Sequence, residues 1–187
     1  MTSPVLHTSE RRKTAPLQLR FRRPSATDGR AVHALIASCP PLDRNSLYLN
    51  LLQCTHFAQT CIIAESADSN PTLCGFISGY LVPNEPQQLF IWQVAVATHA
   101  RGQGLATRML DELLSHPVCA ATTYLQTTIT PSNDASWALF RSFARSRGTR
   151  FEEHVLFDRD LHLDGVHESE HMVTIGPFAP QSASPAA

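Results

Sequence analysis

The sequence lacks a long apolar run and an excess of charge of one sign. A helix that crosses a bilayer needs about 18 or more consecutive apolar residues. No such stretch occurs, and the N-terminus has no apolar core of the kind found in a signal peptide. The formal net charge of the 187 residues is −1, which gives no field to hold nucleic acid or an anionic membrane. We therefore expect a cytoplasmic protein that binds neither nucleic acid nor membrane.

The cysteines lack the spacing of a disulfide framework. There are five, an odd number, and they are scattered and never spaced as Cys-x-x-Cys. None lies at a turn-to-helix junction beside a basic residue, the environment that favours a reactive thiolate. The pattern predicts buried thiols in a reducing compartment and no catalytic cysteine.

One motif suggests zinc but lacks the helix that zinc binding requires. The run His167-Glu168-Ser169-Glu170-His171 fits His-Glu-x-x-His, in which both histidines must project from one helix face. Gly165 comes just before this run, and residues 172–175 are apolar or β-branched and precede Gly-Pro, which favours a strand. We predict no metal site.

The length predicts one domain with a sizeable core, over residues 17–178. Residues 1–16 and 179–187 are rich in Ser, Pro, Ala and Thr and are predicted to be disordered tails. Apolar periodicity and breaker residues predict the order β-α-α-β-β-β-α-β-α-β-β. The strands are expected at 17–22, 60–65, 73–82, 89–96, 122–130, 151–157 and 172–175, and the helices at 27–38, 46–57, 105–114 and 133–147.

A glycine turn between a predicted strand and a predicted helix forms an anion site. The run is Arg101-Gly102-Gln103-Gly104-Leu105-Ala106. The first turn of a helix has unpaired N–H groups and positive potential, and Gly102 and Gly104 leave the backbone accessible while Arg101 adds a cation. The spacing is not GxGxxG, since Thr107 stands where the third glycine would be, and it is not a Walker loop. The alternative is an ordinary strand-to-helix connection.

This turn, placed after Val94 and Val96, resembles the acetyl-coenzyme A signature of the GNAT acetyltransferases, in which the loop holds the pyrophosphate of the cofactor. The resemblance implies the α/β (α+β) GNAT fold, with a mixed, mostly antiparallel sheet of six or seven strands flanked by helices. It also implies acetyl-CoA as cosubstrate and a homodimer. The cofactor-binding residues that it implies are Val94, Ala95, Val96, Arg101, Gly102, Gln103, Gly104, Leu105, Ala106, Asn133 and Phe140.

Several longer blocks are similar to one GNAT family, the diaminobutyrate acetyltransferases of ectoine biosynthesis. The blocks are Cys39 to Asp43 with Asn45, Ser46 and Tyr48, then Gly75 to Tyr80, Leu89 to Val96, Ala100 to Ala106, Thr127 to Ser136 and Ile175 to Phe178. The resemblance implies transfer of the acetyl group of acetyl-CoA to the γ-amino group of L-2,4-diaminobutyrate. The resemblance also implies direct attack by the amine, which is usual in this superfamily and needs no covalent enzyme intermediate.

The resemblance assigns roles to residues on either side of the turn. Backbone N–H groups at Val94 and Val96 would stabilise the charge that develops on the thioester oxygen. Asp43 would hold a substrate ammonium, or it would instead cap the second helix. Tyr48 would hydrogen-bond the substrate carboxylate or only pack. Trp92 would form a cleft wall against the substrate or pack in the core, and strand alternation predicts that Gln93 faces the opposite side.

Two residues depart from the family pattern, and one loop is added to the site. Gln126 stands where the family has Glu, and an amide cannot act as a base. Phe140 stands where many GNAT enzymes have a tyrosine that protonates the leaving thiolate. Separately, the loop with His167 and Glu168 could close over the substrate, or it could be a solvated loop. These departures leave two alternatives open: an acetyltransferase for another small diamine or a polyamine, and a non-catalytic module that binds acetyl-CoA.

Overall fold

A computed structural model describes residues 18–180 of the chain. Within this range the strands are β1 (Leu19–Arg22), β2 (Ile62–Ser66), β3 (Leu73–Val82), β4 (Glu85–Val96), β5 (Tyr124–Ile129), β6 (Phe151–Phe157) and β7 (Glu170–Ile175). The helices are α1 (Gly29–Ala37), α2 (Leu47–Gln53), α3 (Leu105–Ser115), α4 (Asp134–Ser146) and the short α5 (Arg159–His162). The predicted order of elements is confirmed, with α5 added. The tails predicted at 1–16 and 179–187 lie outside the described residues, except for residues 179 and 180.

The strands form one mixed sheet in the order β1-β2-β3-β4-β5-β7-β6. Only the β4–β5 pair is parallel; the other neighbours are antiparallel, which confirms the predicted sheet. The parallel pairing runs from Gln88–Tyr124 to Ile91–Thr127. Within the described residues it does not continue to the ends of the two strands, so a gap opens between them.

The core lies on both sides of this sheet. On one side, α3 and α4 bury Met109, Leu110 and Phe143 against the sheet. On the other side, α1 buries Val32 and Ile36. Side chains such as these each contribute on the order of 1.5–3 kcal/mol when they leave water. The two layers therefore fix the helix ends that surround the gap.

The turn between β3 and β4 is tighter than the sequence suggested. The predicted strands at 73–82 and 89–96 leave residues 83–88 between them, but pairing already begins at Val82–Glu85. Pro83 is suited to the first turn position, and Asn84 adopts φ 65° at the second, a conformation that asparagine tolerates. Strand β4 is therefore longer than predicted.

Two other predictions concern helices. The second helix ends at Gln53 rather than near residue 57, and beyond that end the Thr55 hydroxyl donates to the carbonyl of Leu51. His167 lies in the loop before β7 and His171 lies within that strand, so the two histidines share no helix face. No helix within residues 18–180 has the length and apolar character needed to cross a membrane.

Candidate active site

A cavity of about 370 Å³ lies beside the end of β4, beyond the point where that strand pairs with β5. Its volume lies in the range that is usual for small-molecule sites. The residues around it come from β4, the turn before α3, the start of α4 and the segment after α1, and they are Cys39, Pro40, Pro41, Leu42, Val94, Val96, Ala100, Arg101, Gly102, Gly104, Leu105, Ala106, Thr107, Asn133, Ala135, Ser136 and Leu139. The cavity therefore lies at the end of β4, between the segment after α1 and the first residues of α3 and α4.

The turn before α3 has the backbone that an anion site requires. Gly102 and Gly104 adopt φ values of 72° and 69°, and Gly104 is the N-cap of α3. A Cβ added to either glycine would have no protein atom within 4 Å, so the space in front of the turn is open. Positive φ, rather than crowding, is what makes glycine necessary here. The first N–H groups of α3 and the exposed Arg101 lie at one end of the cavity.

Most of the predicted cofactor residues line this cavity. These are Val94, Val96, Arg101, Gly102, Gly104, Leu105, Ala106 and Asn133. Asn133 also caps α4, since its Oδ1 accepts from the N–H of Ser136 at 3.2 Å.

Three predicted cofactor residues do not line the cavity. Ala95 is fully buried in the core beside α1, because alternation turns its side chain away from Val94. Gln103 is exposed and donates to the carbonyl of His99 at 3.3 Å. Phe140 is 2% exposed and packs in the core, and Leu139, one residue earlier, contributes to the cavity wall instead.

The sequence reasoning did not assign the segment after α1 to the cofactor side. Pro40 and Pro41 follow the end of α1, where proline cannot continue a helix, and line the cavity. The Cys39 thiol contacts the carbonyl of Val96 at 3.4 Å, which ties this segment to the free end of β4. The Pro-Pro pair marked the end of a helix but carried no signal of what that end covers.

Strand β4 contains a bulge beside the gap. It pairs with β3 at Ser78–Gln93 and next at Gly79–Ile91, so Trp92 is an extra residue on β4. A bulge of this kind interrupts the alternation of side chains along the strand.

The bulge brings Trp92 and Gln93 to the same side of the sheet. The Trp92 ring lies 6.2 Å from that of Tyr80, which shares a strand face with Ser78 because the two are two residues apart. Gln93 is the partner of Ser78, and its Nε2 donates to the carbonyl of Asp43 at 2.7 Å. The prediction that Trp92 and Gln93 face opposite sides is therefore wrong. Trp92 is 42% exposed, so the alternative of core packing is wrong as well.

Carboxylates also lie on the side of the sheet that carries Trp92 and Gln93. Glu170, at the start of β7, is hydrogen-bonded to Thr128, and its pKa is raised by burial and by the negative charges of Asp43 and Glu168. Asp43 does not cap α2, because the Ser46 side chain accepts from the N–H of Leu49 instead. Glu170 was missed by the sequence reasoning, although it is part of the apparent zinc motif.

The other predicted substrate residues are more dispersed. Gln126 lies on β5 opposite Phe90, and its Nε2 donates weakly to the Thr174 hydroxyl at 3.4 Å. Tyr48 is 71% exposed on α2, and neither it nor His167 lines the cavity. Glu168 is exposed and accepts a hydrogen bond from Ser132, the residue before Asn133. The β6–β7 loop therefore contacts the turn that leads into α4.

Comparison with known proteins identifies the family. Residues 30–144 match the model of the Acetyltransferase (GNAT) family. The L-2,4-diaminobutyric acid acetyltransferase of Methylotuvimicrobium alcaliphilum is 49% identical over 89% of this chain and 95% of its own, and that of Vibrio cholerae is 46% identical over 83% and 88%. The diaminobutyrate acetyltransferase EctA from Paenibacillus lautus, solved with its substrate L-2,4-diaminobutyric acid and coenzyme A, is 38% identical, with a TM-score of 0.81 over 88% of this chain and 98% of that one. This chain therefore belongs to the GNAT acetyltransferases and, within them, to the diaminobutyrate acetyltransferase family.

Proposed function

We propose that this protein transfers the acetyl group of acetyl-CoA to the γ-amino group of L-2,4-diaminobutyrate, giving N-γ-acetyl-diaminobutyrate for ectoine synthesis. The observation that carries the proposal is the likeness to the Paenibacillus lautus enzyme, which extends over 98% of that chain. The cavity at the end of β4 and the carboxylate of Asp43, next to the lining residue Leu42, suit a thioester cosubstrate and a cationic amine.

The residues of the cavity fit acetyl-CoA, which supplies a thioester carbonyl when bound. The open space in front of Gly102 and Gly104 would accept the pyrophosphate, held by the first N–H groups of α3 and by Arg101. The amide of Asn133 would contact the pantetheine arm. Because the β4–β5 pairing ends at Ile91–Thr127, backbone N–H groups of β4 beyond that point are available to the carbonyl oxygen. They would stabilise the negative charge that develops there during attack.

The diaminobutyrate would bind on the side where Trp92, Asp43 and Glu170 meet. Two nearby carboxylates repel each other, and this repulsion helps to raise the pKa of Glu170. An ammonium group placed between them removes that repulsion and favours both ionised forms. The exposed face of Trp92 adds a surface on which a cationic stem can lie.

We assign acceptance of the first proton to Glu170. The γ-ammonium must lose a proton before its nitrogen attacks, because alkylammonium groups have a pKa of about 10. Burial, the largest cause of the raised pKa of Glu170, persists after the ammonium has offset the charge repulsion, and it favours uptake of the proton. As the C–N bond forms, the C–S bond breaks; of the two protons that leave nitrogen, one ends on sulfur and one reaches solvent. A thiolate with a pKa of about 8.5 leaves without a dedicated acid, so Phe140 is compatible with turnover.

The choice of amine is tested with a panel of acceptors. Release of coenzyme A is measured with L-2,4-diaminobutyrate, ornithine, lysine and a protein N-terminal peptide. We expect the highest kcat/KM for diaminobutyrate, and equal values across the panel would contradict the assignment. Gln126 favours one alternative, another diamine, because it replaces the family carboxylate; in that case Gln126→Glu would raise diaminobutyrate turnover. Tight coenzyme A binding without turnover on any amine would instead indicate a non-catalytic module.

We also propose that the protein works as a cytoplasmic homodimer. The five cysteines are all free and buried, which suits a reducing compartment. Large apolar side chains on the β6–β7 connection are exposed, with Leu161 at 82% and Val166 at 76%, and such groups are commonly covered in subunit contacts. Light scattering on the purified protein tests the dimer, and a monomer mass would contradict it.

A further inference from the structure

Gln93 is a buried amide with one hydrogen bond made and one missing. It is 7% exposed, and its Nε2 donates to the carbonyl of Asp43 at 2.7 Å. Its Oε1 is buried and has no hydrogen-bond partner among residues 18–180. Leaving a buried acceptor without a donor costs free energy. The hydrogen bond to Asp43 therefore favours this position of the Gln93 side chain, although the position leaves Oε1 without a partner.

The orientation of this amide is fixed by what it contacts. If the amide were reversed, Oε1 would face the carbonyl of Asp43 and two acceptors would repel each other. Behind it, the strand partner Ser78 accepts from Gln53 Nε2 at 3.3 Å, and Gln53 Oε1 accepts from Asn50 Nδ2 at 2.9 Å. Ser78, Gln53 and Asn50 are each at most 1% exposed. This row makes its own hydrogen bonds, and the orientation of the Gln93 amide is set by the Asp43 carbonyl.

The turn that Gln93 holds has few other restraints. Residues 43–46 form no regular structure, and Asp43 and Arg44 are exposed. Asn45 has φ 50°, and its Nδ2 lies at 3.4 Å from the same Asp43 carbonyl, a longer contact than that of Gln93. Among the described residues, the bond from Gln93 therefore holds the Asp43 carbonyl directly to the sheet, beside the packing of Leu42 and the Cys39–Val96 contact.

We infer that Gln93 is a positioning residue for substrate recognition, acting through Asp43. This inference rests on the proposed function, because it assumes that Asp43 binds an ammonium group of the diamine. The bulge places Gln93 beside Trp92 on that side of the sheet, so one strand irregularity sets the places of both Trp92 and Asp43. Gln93 itself, with its Oε1 buried, makes no contact with substrate.

The test replaces Gln93 by methionine, which keeps the side-chain length and removes the amide. We expect KM for diaminobutyrate to rise about tenfold, the equivalent of one hydrogen bond, with kcat and the Kd for coenzyme A little changed. We expect thermal stability to stay equal or to increase, because the unpaired acceptor is removed as well. Amide hydrogen exchange of residues 40–46 in the free enzyme should become faster, a readout that needs no substrate.

Gln53→Met is the matched control, since it removes a buried amide that hydrogen-bonds Ser78, the strand partner of Gln93, and not Asp43. It should lower stability and leave KM unchanged. An unchanged KM and unchanged exchange in Gln93→Met would overturn the inference. A wild-type enzyme with no activity on diaminobutyrate would overturn the proposed function instead, while faster exchange in Gln93→Met would still support the tie to Asp43.

Discussion

Replacing Gly104 by alanine tests whether the turn before α3 is an anion site or an ordinary start of a helix. At φ 69° an alanine is strained by about 1–2 kcal/mol. No protein atom lies within 4 Å of the added Cβ, so this strain is the whole expected effect on folding. For a chain of this size it lowers Tm by about 2–8 °C, measured by thermal denaturation without ligand.

The effect on coenzyme A binding should be larger than the effect on stability. The new methyl group would stand in the open space at the N-terminus of α3, and a relaxed φ at residue 104 would turn an N–H group away from the pyrophosphate. Losing one hydrogen bond to a charged group costs about 1.5–3 kcal/mol, which raises Kd about ten- to hundredfold. Isothermal calorimetry with coenzyme A measures this change.

Gly148→Ala is the matched control. Gly148 follows the end of α4 with φ 60°, and it too has no protein atom within 4 Å of an added Cβ. The same strain should therefore lower Tm by a similar amount and leave the Kd for coenzyme A unchanged. Equal Kd values for wild type and Gly104→Ala, or an equal loss in both variants, would refute the assignment of the turn.

Three further results are expected. The pKa of Glu170 is raised by burial and by Asp43, so its base form is lost, and kcat/KM falls, as pH falls through that raised value. Glu170→Gln should lower kcat and abolish this fall on the acid side, measured as a pH profile of kcat/KM. Arg22 lowers the pKa of Asp28 from 3.8 to about 2, so the stabilisation is complete above about pH 4 and is lost as pH falls through about 2. Asp28→Asn should cost at most about 2 kcal/mol at pH 7 by chemical denaturation, a difference that shrinks toward pH 2; a difference independent of pH would contradict this account. Burial raises the pKa of Cys61 to about 12, so at pH 8 only about one thiol in 10⁴ is ionised and a disulfide reagent should label it only after denaturation; rapid labelling of the native enzyme would contradict this.

The fold was largely predictable because its elements carry strong local signals. Strands β3 and β6 begin and end at the predicted residues, since apolar runs and breaker residues mark both ends. The turn at Gly102 and Gly104 was also predictable, because the glycines, the cation and the following helix stripe lie next to each other in the chain.

The substrate side was less predictable because its geometry depends on register. A uniform alternation along β4 separates Trp92 from Gln93, and only the pairing with β3 reveals the extra residue at the bulge. Glu170 was missed for a related reason, since its environment comes from Thr128 and Asp43, which are distant in sequence. Family resemblance supplied Asp43 and Trp92 but did not indicate which groups hold them.

Because the parallel β4–β5 pairing ends early, the sheet has an opening between the two strands. The turn before α3 and the first residues of α4 lie on one side of this opening. Asp43, Trp92 and Glu170 lie on the other side of the sheet. In the proposed reaction, acetyl-CoA and the amine would arrive from opposite sides, so neither would obstruct the entry of the other. The backbone groups of β4 beyond the paired stretch would then lie closest to the reacting carbonyl, and the two proposed substrates would be joined where the strand pairing is interrupted.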